Sequence, residues 1–394
     1  MNNDAVFEQD LRELFTQIPA PPAPTKWGPT PRRADPGPKV ARQLALVAAA
    51  AIIVIAAVVV VQVRRAATVS AITVSALPAA SALTCSLPIA ALSADQTTGF
   101  VVFDHGHATF QPAAPGGTTY VPALGRWVPV LPQRVAPDGR SYVEQDFSGD
   151  QTTIRVVDAS GSRTVLRTAR PFNVFAYAAQ GILLTDMSPG PNGADGSLLL
   201  QLLDPATGSV RPFPFHAPPR PGGVREVGES STASYRREDN AIWMTAYFPS
   251  ADRTVVSRYD LATGVTTEWF DGQADGKGHL EVVATDGHGH PIVQLADRDL
   301  FHTNPAQRSG VAQHTILLTA PHHETVLNEG RVGDRGVAGN LGPLSVNEGD
   351  RVWLAADDGT IWMYVPGSNL REMAKVVKTS AKGAPGVAIS GPCR

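Results

Sequence analysis

The 394-residue sequence lacks most of the motifs that identify enzymes and nucleic-acid-binding proteins. Its two cysteines, Cys85 and Cys393, fit no zinc spacing and are too few for a disulfide-rich scaffold. Charged residues make up only 18% and the net charge is −3, which argues against a basic nucleic-acid-binding surface. No Gly-x-Ser-x-Gly, P-loop or dinucleotide fingerprint occurs. We therefore predict no cofactor, no metal ion and no nucleic-acid partner.

One long apolar run is present near the N-terminus. Residues 44–61 read LALVAAAAIIVIAAVVVV, and Gln62 and Val63 extend the run before Arg64 and Arg65. A helix of about twenty residues crosses a hydrocarbon layer of roughly 30 Å. A buried core helix is the alternative, but charge at both ends and the lack of a polar face favour a transmembrane helix over 44–63.

The flanking cations predict the orientation of this helix. Five cations precede it, Lys26, Arg32, Arg33, Lys39 and Arg42, whereas only Arg64 and Arg65 follow closely. The positive-inside rule therefore predicts a cytoplasmic N-terminus and an extracytoplasmic C-terminal domain in the cell membrane. The alternative is a signal peptide cleaved near Val74-Ser75-Ala76, although its leader would exceed forty residues.

The N-terminal tail combines a short amphipathic helix with a proline-rich linker. Residues 1–18 carry one apolar stripe at helical spacing, formed by Phe7, Leu11, Leu14, Phe15 and Ile18. Pro19 ends the helix, and residues 19–43 form a basic, proline-rich linker. The stripe predicts either docking to a cytosolic protein through residues 4–18 or a helix that lies on the inner membrane face. The acidic character of the helix argues against an anionic bilayer.

The layout of residues 1–65 resembles that of a group of actinobacterial single-pass membrane proteins. The shared features are the acidic helix (DLRELF), the linker PAPPAPTKWGPTPRRADPG and a single Ala/Val-rich span. Some members of the group are anti-sigma-like, so the resemblance implies a cytosolic regulatory partner. The sequence departs from many anti-sigma factors because it has no His-x-x-x-Cys-x-x-Cys zinc signature.

The remainder of the chain has strand patterns and almost no helical periodicity. Residues 64–84 are small and apolar and are interpreted as a spacer, so that an all-β domain spans 85–394. Segments rich in β-branched and aromatic residues, bounded by turn residues, are 152–157, 197–203, 241–248, 254–260 and 351–356. Only 370–378 is ambiguous between helix and strand.

Two types of turn recur at intervals of about fifty residues. Asp-initiated turns that end in glycine begin at Asp158, Asp204 and Asp260, and Asp358-Gly359 is interpreted as a later copy. A second type is expected before each innermost strand, at Asp95-Gln96, Asp138-Gly139, Gln180-Gly181, Asp239-Asn240, Asp286-Gly287 and Glu348-Gly349. The segment VAPDGRSYV resembles the turn of TolB-like and WD40-like propellers. Six units of about 52 residues predict a six-bladed β-propeller rather than a pair of β-sandwiches.

Histidine pairs and an Asp-rich turn are weak candidates for chemistry. His105 and His107, and likewise His288 and His290, could each share one metal ion on a strand, but glycine and predicted turns favour exposed histidines. His322-His323-Glu324 reads as a polar loop. Asp357–Trp362 resembles an Asp-box, a structural hairpin. Three tryptophans in strands are interpreted as core residues, Trp243, Trp353 and Trp362.

The two cysteines bracket the β domain, and this position predicts a disulfide. The strand-like segments 87–92 and 386–390 lie beside Cys85 and Cys393. Propellers commonly join strands from both chain ends in one blade, and pairing these segments would bring the sulfurs within bonding range. An extracytoplasmic compartment permits oxidation. We predict a Cys85–Cys393 bond that closes the ring.

Three functions fit these features. The first is a membrane-anchored binding or sensory propeller, coupled through its N-terminal helix to a cytosolic partner and facing an extracytoplasmic ligand or protein. The second is a membrane-tethered propeller hydrolase or lactonase, which needs carboxylates or histidines that converge on the channel. The third is a cell-envelope scaffold.

Overall fold

The computed structural model describes residues 72–92, 97–114, 116–148, 151–187, 200–215, 230–273, 279–296, 310–342, 344–378 and 386–394. The predicted tail, linker and transmembrane helix lie outside these residues. Within them, no helix is both long enough and apolar enough to cross a bilayer. The described secondary structure is β-strands with short 3-10 turns.

The strands form a series of antiparallel sheets that follow one another along the chain. Sheet 1 has the order β26-β2-β3-β4, with β2 (Thr84–Leu92), β3 (Thr97–Asp104), β4 (His107–Pro112) and β26 (Gly386–Ile389). A separate hairpin comprises β5 (Thr119–Val121) and β6 (Arg126–Val128). Sheet 2 comprises β7 (Ser141–Ser148), β8 (Gln151–Asp158) and β9 (Ser162–Thr168), and an antiparallel bridge from Val135 to Tyr142 adds the preceding segment.

The next three sheets repeat one four-stranded meander. Sheet 3 comprises β10 (Phe172–Ala178), β11 (Gly181–Asp186), β12 (Leu200–Leu203) and β13 (Val210–Pro212). Sheet 4 comprises β14 (Ser230–Arg236), β15 (Ala241–Phe248), β16 (Arg253–Asp260) and β17 (Thr266–Gln273). Sheet 5 comprises β18 (His279–Thr285), β19 (Pro291–Ala296), β20 (Ala312–Ala320) and β21 (His323–Arg331).

Sheet 6 has five strands because the N-terminal strand joins it. It comprises β22 (Val346–Glu348), β23 (Arg351–Ala355), β24 (Thr360–Tyr364) and β25 (Arg371–Lys378), with β1 (Ile72–Ala76) outermost. The ambiguous segment at 370–378 is therefore a strand. The structure also moves the predicted boundary of the β domain, because β1 pairs with β25 along its whole length and Ala80 is fully buried. Residues 72–84 belong to the fold and are not a spacer.

Sheet 1 joins the last described strand, β26, to β2 from the other end of the β domain. Strand β26 pairs antiparallel with β2, with Ile389 opposite Ile89 and Gly386 opposite Leu92. Cys85 and Cys393 form a disulfide with their Cα atoms 5.6 Å apart, although they lie 308 positions apart in sequence. The predicted strand pairing and the predicted disulfide are both confirmed. Consecutive meanders in which the last strand joins the first sheet are the topology of a β-propeller.

The hydrophobic core is divided into clusters that lie between successive sheets. Strands of sheets 3 and 4 share one cluster, and the pairs 2 and 3, 4 and 5, and 5 and 6 each share another. A further cluster joins sheet 6 to sheet 1, and the β5–β6 hairpin packs on sheet 2. Trp243, Trp353 and Trp362 lie in three of these clusters and are at most 1% exposed, as predicted for core residues.

The Asp-initiated turns form as predicted at three positions. Asp158 ends β8, Asp204 directly follows β12 and Asp260 ends β16, so each precedes the last strand of its sheet, and each carboxylate accepts hydrogen bonds from the backbone of the turn. The closing glycine has positive φ in each turn, for example 74° at Gly208. Asp358-Gly359 differs, because it joins the second and third strands of sheet 6 and is therefore no later copy.

Four turns of the second class follow the first strand of their sheet rather than preceding it. Gln180-Gly181, Asp239-Asn240, Asp286-Gly287 and Glu348-Gly349 all join first and second strands. Asp95-Gln96 lies outside the described residues. The turn at Asp138-Gly139 forms and precedes β7, whereas the other four described turns lie on the opposite side of the first strand from the one predicted.

Candidate ligand-binding channel

One cavity of about 780 Å³ is lined by residues that lie in or beside all six numbered sheets. Its walls include residues of β10, β14, β18 and β22, together with Ser390–Pro392 after β26 and the segment 131–135 before β7. Four of these segments belong to the first strand of their sheet, and the other two precede β7 or follow β26. The cavity is therefore the central channel of the propeller, where ligand sites commonly form. Residues 119–122 of the β5 region also line it.

Two consecutive arginines at the end of β14 extend to different parts of the channel wall. Arg236 Nη1 donates to Ser345 Oγ at 3.1 Å, and Nη2 donates to the carbonyl oxygen of Val282. Arg237 Nη2 instead donates to the carbonyl oxygens of Pro132 at 2.7 Å and Val135 at 2.9 Å. Arg236 is the last residue of β14 and Arg237 the first residue of the turn after it, so the end of this strand connects sheets 5 and 6 with the segment before sheet 2.

A third arginine, Arg134, lies on the segment that Arg237 holds. Its Nη2 donates to Asn173 Oδ1 at 3.1 Å, which links sheet 2 to the start of β10. Burial lowers the pKa of Arg134 and of Arg236, because a low-dielectric environment disfavours the charged form. Burial also raises the pKa of Tyr235 on β14. The channel therefore holds cations that are partly withdrawn from water.

The channel also has acidic and amide side chains. Glu238, at the end of β14, and Glu281, on β18, line the same cavity as the three arginines. Asn173 and Asn347 provide neutral polar groups. The wall thus combines three guanidinium groups, two carboxylates and several hydrogen-bonding groups, an arrangement suited to orienting a polar molecule.

The C-terminal residue is held beside one wall of the channel. Arg394 lies over the ring of Tyr120, with 4.2 Å between Cζ and the ring centroid, and also donates to the Tyr120 hydroxyl. Phe100 and Trp127 pack edge-to-face around Tyr120. The Tyr120 backbone N–H donates to the Ser390 carbonyl at 2.7 Å. These contacts fix the β5–β6 hairpin to the closing strand, so the wall at Thr119–Val121 is well anchored.

The histidine candidates lie outside the channel. His105 is exposed in the turn after β3 and contacts Asp104 at 2.7 Å. His290 Nδ1 lies 3.1 Å from Asp286 Oδ2, and the Asp286 carboxylate also accepts the backbone N–H groups of His288 and His290. Across the described ranges, no three side chains of metal-ligating type come together.

The remaining turn candidates have structural contacts. His322 occupies the turn before β21, where its backbone N–H donates to the Trp269 carbonyl. Asp358 accepts from the Thr360 N–H at 2.8 Å and from Lys375 Nζ at 2.5 Å. The Asp-box-like segment is thus a hairpin, as its sequence indicated. The docking residues Phe7, Leu11, Leu14, Phe15 and Ile18 lie outside the described residues.

Sequence reasoning missed the channel arginines and a recurring contact between an acid and a tryptophan. Asp239 Oδ2 accepts from Trp243 Nε1 at 2.9 Å, and Glu348 Oε2 accepts from Trp353 Nε1 at the same distance. Burial raises the pKa of Asp239, although hydrogen bonds from Arg258 and Trp243 oppose this shift. In both contacts an acid in or next to the turn between the first two strands of a sheet precedes a Trp by four or five residues. This spacing is visible in the sequence.

Comparisons with known proteins locate the chain near propeller structures but identify no family. No protein-family profile and no curated protein matches it. TolB from Acinetobacter baumannii is 13% identical with a TM-score of 0.38, covering 78% of this chain and 67% of TolB. An uncharacterised Listeria monocytogenes protein is 12% identical with a TM-score of 0.32, covering 66% of this chain and 85% of that one. Oligogalacturonate lyase in complex with manganese is 11% identical with a TM-score of 0.34, covering 74% of this chain and 73% of the lyase.

These similarities transfer no activity to this chain. The identities are far below 25% and the TM-scores are below 0.5. The propeller assignment rests instead on the strand order and on the closure of sheet 1 by β26.

Proposed function

We propose that this protein is a membrane-anchored, extracytoplasmic six-bladed propeller that binds a small molecule in its central channel and signals to a cytosolic partner. The observation that carries the proposal is the cavity of about 780 Å³, which is lined by charged side chains from sheets 2, 4 and 5. Ligand pockets typically have volumes of roughly 300–1,000 Å³ with a few convergent polar groups. The ligand is therefore a small molecule and not a polymer surface.

The sheets and the apolar clusters between them support the count of six blades. Sheets 1 to 6 each contribute to the channel wall, and each shares an apolar cluster with a neighbouring sheet or with the β5–β6 hairpin. The β5–β6 hairpin is an insertion between the first two blades and does not form another blade, because it has only two strands.

Membrane anchoring and signalling rest on the sequence of the first 65 residues. The apolar span 44–63 has the length of a transmembrane helix, and the cations before it favour a cytoplasmic N-terminus. A reporter that is active only outside the cytoplasm should be active when fused after Arg394 and silent when fused at Thr30. The reverse pattern would contradict the orientation.

Channel binding is tested with the full-length protein in detergent. A panel of neutral, cationic and anionic small molecules is screened by thermal unfolding against the wild type and a Ser234→Trp variant. Ser234 is half-buried on the channel wall, and the indole would occupy the space that a ligand needs. At least one compound should stabilise the wild type but not Ser234→Trp, while Ser234→Ala should retain the response. Absence of any response from the wild type would contradict channel binding.

A channel hydrolase is the second candidate, because two carboxylates, Glu238 and Glu281, line the cavity. Paired carboxylates can act as general acid and base. Any compound that stabilises the wild type should therefore be incubated with it and analysed for products. Turnover that Glu281→Gln abolishes would favour the hydrolase, and recovery of the intact compound would favour binding.

A further inference from the structure

Two of the channel arginines have no carboxylate partner in the described part of the chain. Arg134 donates to the side-chain amide of Asn173, and Arg237 donates to the backbone carbonyls of Pro132 and Val135. All of these acceptors are neutral. Elsewhere in the same domain, arginines are paired with acids, for example Arg253 with Asp271 at 2.6 Å and Arg258 with Asp239 at 3.0 Å.

The two guanidinium groups belong to one locality of the wall. Arg237 holds the carbonyls of residues 132 and 135, and these residues flank Arg134 in the chain. Each guanidinium has five N–H donors in a fixed fork, whereas one nitrogen of each makes the bonds described above. Donors therefore remain beside a cavity that can hold a ligand.

An uncompensated cation next to a cavity favours an anionic ligand. Partial burial weakens hydration of the Arg134 charge, as its lowered pKa indicates. A bound oxyanion would stabilise the charged guanidinium in place of the water that burial removes. The guanidinium fork also matches the geometry of carboxylate and phosphate groups. The neutral bonds to Asn173, Pro132 and Val135 hold the two arginines in place before a ligand arrives.

We infer that the channel recognises a small organic acid whose carboxylate or phosphate group lies between Arg134 and Arg237. This inference rests on the proposed function, since it specifies the ligand class of the same channel. The polar wall contributed by Glu238, Asn347 and Ser234 faces the remainder of the ligand and suits hydroxyl groups.

The test compares three sugars that share one ring and differ in charge. D-glucose is neutral, D-glucuronate has a carboxylate and glucose 6-phosphate has a phosphate. Full-length protein in detergent is unfolded thermally with each sugar at constant ionic strength. The wild type should be stabilised by about 2–4 °C at saturating concentrations of at least one charged sugar and not by glucose. The charged sugar that gives the larger shift identifies the preferred oxyanion.

Variants separate site binding from a general salt effect. Arg134→Gln/Arg237→Gln should lose the shift, and Arg134→Lys/Arg237→Lys should keep part of it because the charges remain. Arg163→Gln is the matched control, because Arg163 Nη1 also donates to a backbone carbonyl, that of Pro205 at 2.7 Å, but is exposed and outside the channel. Its shift should equal that of the wild type. If the double variant does not fold, Arg134→Gln alone removes only one side-chain bond and should weaken binding at least tenfold.

Three results would overturn the inference. They are an equal shift in the wild type and the Gln variants, a shift with glucose as large as that with the acids, and no shift with either acid. If neutral or cationic compounds of the panel bind while both acids fail, the ligand class is wrong and channel binding stands. If no compound stabilises the wild type, the inference and the proposed function fail together.

Discussion

Arg236 and Arg237 are neighbours at the end of β14, the last residue of the strand and the first of the following turn, yet they hold different parts of the channel wall. Arg236 donates to Val282 and Ser345 of sheets 5 and 6, whereas Arg237 donates to the carbonyls of Pro132 and Val135 beside sheet 2. This dipeptide therefore connects blades that are not adjacent. A ligand that contacts Arg237 would act directly on the contacts that set the channel's dimensions.

The disulfide should contribute strongly to stability because it closes a very long loop. With the cysteines 308 positions apart in sequence, chain entropy predicts a stabilisation on the order of 5 kcal/mol, an upper estimate for a real unfolded chain. Cys85→Ser/Cys393→Ser should lower the denaturation midpoint in urea. Reduction of the wild type should reproduce the effect and should leave the double variant unchanged. Quantitative thiol labelling of the native, non-reduced protein would contradict the bond.

Asp260 should make stability depend on pH. Partial burial tends to raise its pKa, but hydrogen bonds from Thr263 and Arg258 prevail and lower it. The unfolded chain therefore takes up a proton first as pH falls, so this stabilisation is complete above the unfolded pKa of about 4 and is lost as pH falls through the folded value. Asp260→Ala should cost about 1–2 kcal/mol at pH 7.

That difference between Asp260→Ala and the wild type should shrink at pH 3, as measured by urea unfolding at both pH values. Asp260→Asn keeps an acceptor for the turn but loses the charge that Arg258 contacts, so its cost should be intermediate. A cost that is the same at pH 7 and pH 3 would show that the carboxylate charge has no part in it.

The contact between Glu348 and Trp353 offers a matched pair of substitutions. Trp353 is fully buried and donates its indole N–H to Glu348. Glu348→Ala leaves that N–H without its partner and should cost about 1–3 kcal/mol, whereas Glu348→Gln keeps an acceptor and should cost less. Chemical denaturation monitored by tryptophan fluorescence measures both. Equal costs would mean that the acid acts through its charge and not through this hydrogen bond.

Strand β1 should be needed for the stability of sheet 6. Val74 is half-buried against the cluster between sheets 6 and 1, and Thr73 points to solvent on the other face. Val74→Asp places a charge in that cluster and should cost about 1–3 kcal/mol, whereas Thr73→Asp should cost little. Thermal unfolding compares the two variants. A negligible effect of Val74→Asp would show that β1 contributes little to the stability of sheet 6.

The N-terminal stripe should bind a cytosolic protein. Leu11→Asp/Leu14→Asp places charges on the apolar face and should abolish capture of that partner by a bait of residues 1–40, without changing membrane insertion of the full chain. Glu13→Gln lies off the stripe and should retain capture. If the wild-type bait retains nothing above the Leu11→Asp/Leu14→Asp bait, the regulatory role fails.

Local sequence signals were sufficient for the features that depend on short stretches of chain. The Asp-to-Gly turns at Asp158, Asp204 and Asp260 form because a carboxylate can bond the backbone two or three residues ahead and glycine accepts positive φ. Strand β15 spans Ala241–Phe248, the segment that its apolar pattern predicted. The disulfide could also be predicted from the sequence, because a propeller ring must join its first and last strands and the two cysteines lie in or beside those strands.

Tertiary structure decided the boundary, the order of strands around each turn and the site. Strand β1 is stabilised by pairing with β25, about 300 residues away, so no local pattern marks it as part of the fold. Arg134 and Arg237 lie about a hundred positions apart in sequence, and the ring brings Arg237 to the carbonyls that flank Arg134. The sequence by itself therefore determined the turns, the strands and the covalent closure, since these depend on neighbouring residues or on the chain ends. Only the closed ring decided which charges face the channel, because that depends on strands that meet across the axis.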